Sequence, residues 1–118
     1  MDITQMTPAM LENQLAQLTH ALSTARDVLS EAHDVFMSID EWKNEFFAKL
    51  LSEAPGDSNA AKERHVYVSP EWHKFKNGLV KSKRDFQKAK YTREKLETRW
   101  ETCRSIMSDR RAERRTAT

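Results

Sequence analysis

A row of cationic side chains with one aromatic residue is the part of this sequence whose residue types and spacing could do chemistry. Its members are three or four residues apart: Lys74, Asn77, Lys81, Arg84, Lys88, Tyr91 and Lys95. In a helix this spacing places them on one face. Cations displace the counterions of a phosphate backbone and an aromatic ring stacks on bases, so the row is typical of a nucleic-acid contact. Because lysine predominates and no base-reading motif is present, we predict sequence-independent binding.

The row has a second interpretation, as a solvated face that balances an acidic helix or meets an acidic protein. Residues 1–58 carry three basic and ten acidic side chains, whereas residues 59–118 carry seventeen basic and eight acidic ones. The formal net charge of +2 therefore hides one acidic and one basic half. The residues alone are compatible with both interpretations.

The other polar residues indicate neither catalysis nor a metal site. The four histidines, at His20, His33, His65 and His73, lack the spacing of metal ligands. Cys103 is the single cysteine, so it can form neither an intrachain disulfide nor a zinc knuckle, and we expect it in the core. No nucleophile motif, Gly-rich phosphate loop or dinucleotide fingerprint is present. We predict a protein that is not an enzyme and holds no metal or cofactor.

Two long helices are predicted to position these residues. For helix 1, over residues 8–54, Thr7 is a suitable N-cap, Pro8 a suitable first residue, and Pro55 a suitable stop. Apolar residues repeat every seven positions, as in a coiled coil. The two columns are Leu11, Leu18, Ala25, Ala32, Ile39 and Phe46, and Leu15, Leu22, Leu29, Phe36, Lys43 and Leu50.

Helix 2 is predicted over residues 70–114, with Ser69 as N-cap and Pro70 as first residue. Its columns are Trp72, Leu79, Phe86, Arg93, Trp100 and Met107, and Phe75, Ser82, Ala89, Leu96, Cys103 and Arg110. Residues 55–69 form the connector, in which we expect an extended segment at 65–68 to pack Val66 or Val68 against the helix ends. Residues 115–118 are expected to fray.

The predicted fold is all-α: one domain, residues 1–118, folded as an antiparallel, coiled-coil-like two-helix hairpin. Opposite net charges, −5 on helix 1 and +7 on helix 2, favour this pairing. A third apolar column on helix 1 exceeds the need of one seam: Ala21, Val28, Val35 and Trp42. We predict that Val28, Val35 and Trp42 form a homodimer interface that completes a four-helix bundle. The alternative is that they contact another protein.

The location of the protein is expected to be cytoplasmic. The first residues contain no basic region followed by an apolar run, so we expect no signal peptide. No stretch approaches the roughly 20 apolar residues that cross a bilayer, so we expect no membrane contact. A single cysteine also fits a reducing compartment.

The run Leu-Glu-Thr-Arg-Trp-Glu-Thr-Cys-Arg-Ser-Ile-Met-Ser at residues 96–108 resembles the C-terminal helix of small all-helical phage and prophage accessory proteins. Members of this group are often encoded near recombination or replication functions. The resemblance implies a non-enzymatic accessory protein of phage DNA recombination or replication, in the cytoplasm of a bacterial host. The alternative is a pure protein-binding module, such as an inhibitor of a host nuclease or defence complex.

Overall fold

The chain is all-helical in the part that the computed structural model describes, residues 2–117. A short 3-10 helix, Ile3–Gln5, precedes three α-helices: α1 at Pro8–Glu53, α2 at Asn59–Tyr67 and α3 at Pro70–Ala117. These residues contain no β-strand, and none of their helices is both long and apolar enough to cross a membrane. The prediction of an all-α fold is confirmed for this part of the chain.

Hydroxyl side chains cap both long helices at the predicted positions. Thr7 Oγ1 accepts a hydrogen bond from the backbone N–H of Met10 at 3.2 Å. Ser69 Oγ accepts one from the N–H of Trp72 at 3.3 Å. Each cap satisfies a backbone donor that has no partner within its helix, which is why the helices begin at Pro8 and Pro70.

The ends of the long helices differ from the prediction by a few residues. α1 ends at Glu53 instead of residue 54. Gly56 then turns the chain with φ of +143°, a value that side-chain-bearing residues rarely adopt. α3 continues to Ala117, three residues beyond the predicted end, because no glycine or proline follows Gly78 to end the helix. Thr118 lies outside the described residues.

The prediction of an extended segment at residues 65–68 is wrong, since α2 includes most of it. Ser58 caps α2 by accepting from the Ala61 N–H at 3.2 Å, and the residues after the cap favour helix. This local helix signal prevails over the β-propensity of four residues. Val66 is 1% exposed and packs as predicted, whereas Val68 is 73% exposed at the helix end.

The contacts between residues divide the chain into two compact units. Unit 1 consists of Met1–Leu29 and Ala89–Thr118, and unit 2 consists of Ser30–Lys88. In unit 1 the Cys103 thiol donates to the Leu11 carbonyl at 3.5 Å, and Arg26 pairs with Glu97 at 3.6 Å. Contact positions advance along α1 as they retreat along α3, so the two segments of unit 1 are antiparallel.

The segments of unit 2 are antiparallel as well, and aromatic rings dominate their core. The ring centroids of Phe36 and Phe86 are 6.0 Å apart, and those of Phe46 and Phe75 are 4.9 Å apart. Trp72 is buried in the same cluster, where Val66 and Ala54 close the end. Burial of these large apolar surfaces is the main stabilising term of the unit.

The seven-residue repeat predicts the inward positions of both long helices correctly. None of the 24 positions in the four predicted columns is exposed. Even Lys43 and Arg93, which interrupt the apolar pattern, are half-buried. Most side chains outside these columns are exposed and are available to partners.

Candidate nucleic-acid interface

The candidate site in unit 2 is an exposed basic face of α3. Its members are Lys74, Asn77, Lys81, Arg84 and Lys88, and all five are exposed. The first and last of them are 14 positions apart, which is about 21 Å along the axis at the helical rise per residue. Between residues 74 and 90 the helix carries seven basic residues and one acidic residue. This segment of α3 is therefore strongly basic, and four of its seven basic residues lie on the basic face.

The acidic residue within this segment does little to neutralise the basic face. Lys81 Nζ lies 3.2 Å from Asp85 Oδ2, one helical turn further along. Both side chains are largely exposed, so the pair is screened by water and contributes about 0.3–0.5 kcal/mol to stability. An incoming phosphate can replace this weak partner of Lys81.

Tyr91 and Lys95, which continue the predicted row, belong to unit 1. Lys95 Nζ lies 5.4 Å from the centroid of the Tyr91 ring, a distance suited to a cation–π interaction. The Tyr91 ring is 62% exposed. Both residues line a shallow groove of about 570 Å³ together with Ile3. An exposed aromatic ring and a cation therefore lie together at the surface of unit 1.

The N-terminal segment contributes to this groove, which the sequence reasoning missed. Asp2 accepts from the Thr4 N–H at 3.3 Å and caps the 3-10 helix, and Ile3 is buried against the unit 1 core. The Arg110 guanidinium donates to the carbonyl of Thr4 at 2.8 Å and to that of Met6. Arg110 therefore holds the N-terminal segment and is not part of the exposed basic surface.

The lysines beside the seam behave differently from the basic face. The seven-residue spacing places Lys76, Lys83 and Lys90 next to the seam, within reach of the acidic side chains of α1, and all three are exposed. Lys76 Nζ instead lies 6.0 Å over the ring of Trp72 on its own helix. In unit 1 an ion pair joins Arg26 of α1 to Glu97 of α3. Its basic residue is on α1, whereas the net charges of the two helices predict acidic residues on α1 and basic residues on α3. Glu97 also pairs with Arg93 at 3.6 Å.

Most of the third apolar column of α1 is exposed. Val28 of unit 1 is 52% exposed, and Val35 and Trp42 of unit 2 are 48% and 59% exposed. Ala21, at the start of the column, is half-buried. Exposed valine and tryptophan side chains at a seven-residue interval give α1 an apolar strip that has no neighbour within its own unit core.

The described part of the chain presents neither a metal-binding cluster nor an accessible thiol. Residues 2–117 contain no group of three His, Cys, Asp or Glu side chains that could hold a metal ion. Cys103 is fully buried, and burial raises the pKa of its thiol, while the Arg99 charge acts weakly in the opposite direction. A buried thiol with a raised pKa is a poor nucleophile. Its role here is packing against Leu11 and Leu18.

Comparison with known proteins adds no relative: no protein-family model, curated protein or solved structure matches the chain.

Proposed function

We propose that this protein binds nucleic acid without sequence specificity through the basic face of α3 and acts as a non-enzymatic, phage-type accessory protein of DNA recombination or replication in a bacterial cytoplasm. The observation that carries the proposal is the exposure of Lys74, Lys81, Arg84 and Lys88 on one helix. In unit 1, Tyr91 and Lys95 are proposed to contribute an aromatic ring for stacking and a cation of their own.

The residue types support binding to phosphates in preference to reading of bases. Lysine is a flexible point charge that follows a phosphate backbone, whereas base recognition relies mainly on planar donors such as arginine and amides. Arg84 and Asn77 are the two planar groups on the unit 2 face. Affinity in this proposal comes from counterion release and so depends on salt more than on sequence.

Salt dependence of the wild-type protein tests this proposal directly. If about four or five phosphates are contacted, affinity for duplex DNA should fall about 150- to 500-fold between about 50 and 200 mM salt. Fluorescence anisotropy of labelled single- and double-stranded DNA of unrelated sequences provides the measurement. Absence of binding at the lower salt concentration would contradict the proposal.

We further propose that α1 and α3 form one antiparallel hairpin that assembles as a homodimer, with Val28, Val35 and Trp42 at the interface. The exposure of this column supports the proposal, because isolated surface residues need no explanation but a regular apolar strip favours a partner. Dimerisation into a four-helix bundle would remove the strip from water.

Glutamate at position 35 should disrupt this dimer. Val35→Glu places a charge in the proposed apolar contact without touching either unit core, so light scattering should report the 13.8 kDa monomer. Val68→Glu is the matched control, since Val68 is also an exposed valine but lies outside the column. A Val35→Glu protein with the mass of the wild-type dimer would rule out an apolar α1–α1 contact through this column.

The apolar strip also supports a second candidate function, that of a pure protein-binding module such as an inhibitor of a host nuclease or defence complex. In that case the strip contacts the target and the basic face meets an acidic protein surface. Such an interface is less sensitive to salt than a phosphate contact. A wild-type protein that binds no DNA at low salt but captures an acidic host protein would favour this second function.

A further inference from the structure

Unit 2 carries two exposed helix faces of opposite charge. On α1, four carboxylates surround the apolar side chains of Val35 and Trp42. We name this the acidic–apolar face, and it consists of Glu31, Asp34, Val35, Glu41, Trp42 and Glu45. On α3, the basic face of Lys74, Asn77, Lys81, Arg84 and Lys88 is exposed in the same unit. The molecule therefore displays both halves of a complementary pair.

The charge of the acidic–apolar face argues against packing α1 on α1 of a second copy. Residues 27–42 contain five acidic residues and neither lysine nor arginine. A symmetric α1–α1 contact would bring two such segments together, and juxtaposed like charges oppose association. The partner that suits this face is a basic helix whose side chains can also cover a valine and a tryptophan.

The basic face of α3 meets both requirements. The long aliphatic stems of lysine and arginine can cover apolar surface while their charged ends reach carboxylates. Cations also lie over indole rings favourably, and this chain already contains such contacts: Lys76 over Trp72, and Arg104 over Trp100 at 5.3 Å. Trp42, which is 59% exposed, offers the same kind of ring to an incoming cation.

We propose that the acidic–apolar face of α1 in one copy binds the basic face of α3 in a second copy of this chain. Two such contacts related by a two-fold axis form a closed dimer with α1 beside α3 of the partner. Because nucleic acid is proposed to use the same lysines, self-association masks the nucleic-acid face, and this consequence rests on the proposed function. When nucleic acid binds, its phosphates replace the carboxylates of the second copy as the groups that contact the α3 lysines.

Charge-swapped variants test the contact without nucleic acid. Glu41→Lys with Glu45→Lys reverses the α1 face, and Lys81→Glu with Arg84→Glu reverses the α3 face. Each double variant alone should have the mass of a monomer, while an equimolar mixture should regain the dimer mass in light scattering. Glu53→Lys with Asp57→Lys is the matched control, because it changes the same charge at exposed positions outside the face.

Several outcomes would overturn the contact: a monomeric wild type, double variants that remain dimers, or a mixture that stays monomeric. Far-UV circular dichroism of each variant confirms that the helices are intact, and recovery in the mixture shows that each variant is competent to associate. These results do not depend on nucleic acid, so they separate this contact from the proposed function.

Competition is measured by adding single-stranded DNA to the wild-type dimer. Conversion to monomers bound to DNA supports the masking, and a DNA-bound dimer of unchanged affinity contradicts it. The Glu41→Lys, Glu45→Lys variant should bind the same DNA at least several-fold more tightly than the wild type. If the wild type and this unmasked variant both bind no DNA, the proposed function fails, while the mass measurements still decide the contact.

Discussion

Changing Lys81, Arg84 and Lys88 to glutamate should lower the affinity for duplex DNA about 100-fold at about 0.2 M salt and about 3,000-fold at about 0.05 M. For each phosphate contact, counterion release adds roughly 0.9 times the logarithm of the inverse salt concentration to the logarithm of the binding constant. The loss of three contacts therefore lowers the affinity by factors of this size. Repulsion between glutamate and phosphate adds to them. Anisotropy titrations at both salt concentrations provide the measurement.

The matched control for this prediction lies on the same helix. Lys76, Lys83 and Lys90 are exposed, and changing them to glutamate alters the net charge by the same amount on a different side of α3. This control should lose less affinity, most clearly at about 0.2 M salt, where the Debye length of about 7 Å is shorter than the distance across a helix. Equal losses in both variants would mean that net charge, and not the basic face, determines binding.

The long helices and their inward faces were predictable because a seven-residue repeat sustained over five heptads has few alternative structures. Leu11, Leu18 and Cys103 are buried in unit 1, and Trp72 is buried in unit 2, as their columns require. The same period identifies the outward residues, which is why the exposure of Lys74, Lys81, Arg84 and Lys88 follows from the sequence.

Features that depend on short-range or tertiary contacts were not predictable from the repeat. The nine residues of α2 form a helix because Ser58 caps them and Val66 packs on the core, which no periodicity could indicate. The N-terminal 3-10 helix depends on Arg110, more than 100 residues away along the chain. Aspartate at position 2 followed by apolar Ile3 was the available local signal.

The division of charge between the helices was predictable, but whether those charges form ion pairs across the seam was not. Net charges of opposite sign suggested ion pairs across the seam, yet the carboxylates of Glu31, Asp34, Glu41 and Glu45 are exposed. Exposed ion pairs contribute little, so side-chain packing along the seam determines the register of the helices and leaves these charges at the surface. Surface charge of this kind indicates partners and association, not fold.

Changing Trp72 to alanine should destabilise unit 2 by about 3–5 kcal/mol, because it removes a large buried side chain and leaves a cavity. The Trp72 ring lies 5.1 Å from that of Phe47, 5.7 Å from that of Phe75 and 6.5 Å from that of Phe46. It also packs where α2 meets α3, so its loss loosens the whole aromatic cluster. Urea unfolding followed by far-UV circular dichroism should show a lower midpoint.

Trp42→Ala is the control that separates burial from residue type. Trp42 is 59% exposed and lies outside the core clusters of both units, so its removal from the monomer should change the free energy of unfolding by about 0.5 kcal/mol or less. If the protein forms the proposed dimer, the same variant should weaken that dimer, whereas Trp72→Ala should affect it only through unfolding. If Trp42→Ala destabilises the dilute protein as strongly as Trp72→Ala, Trp42 belongs to the core and not to an interface.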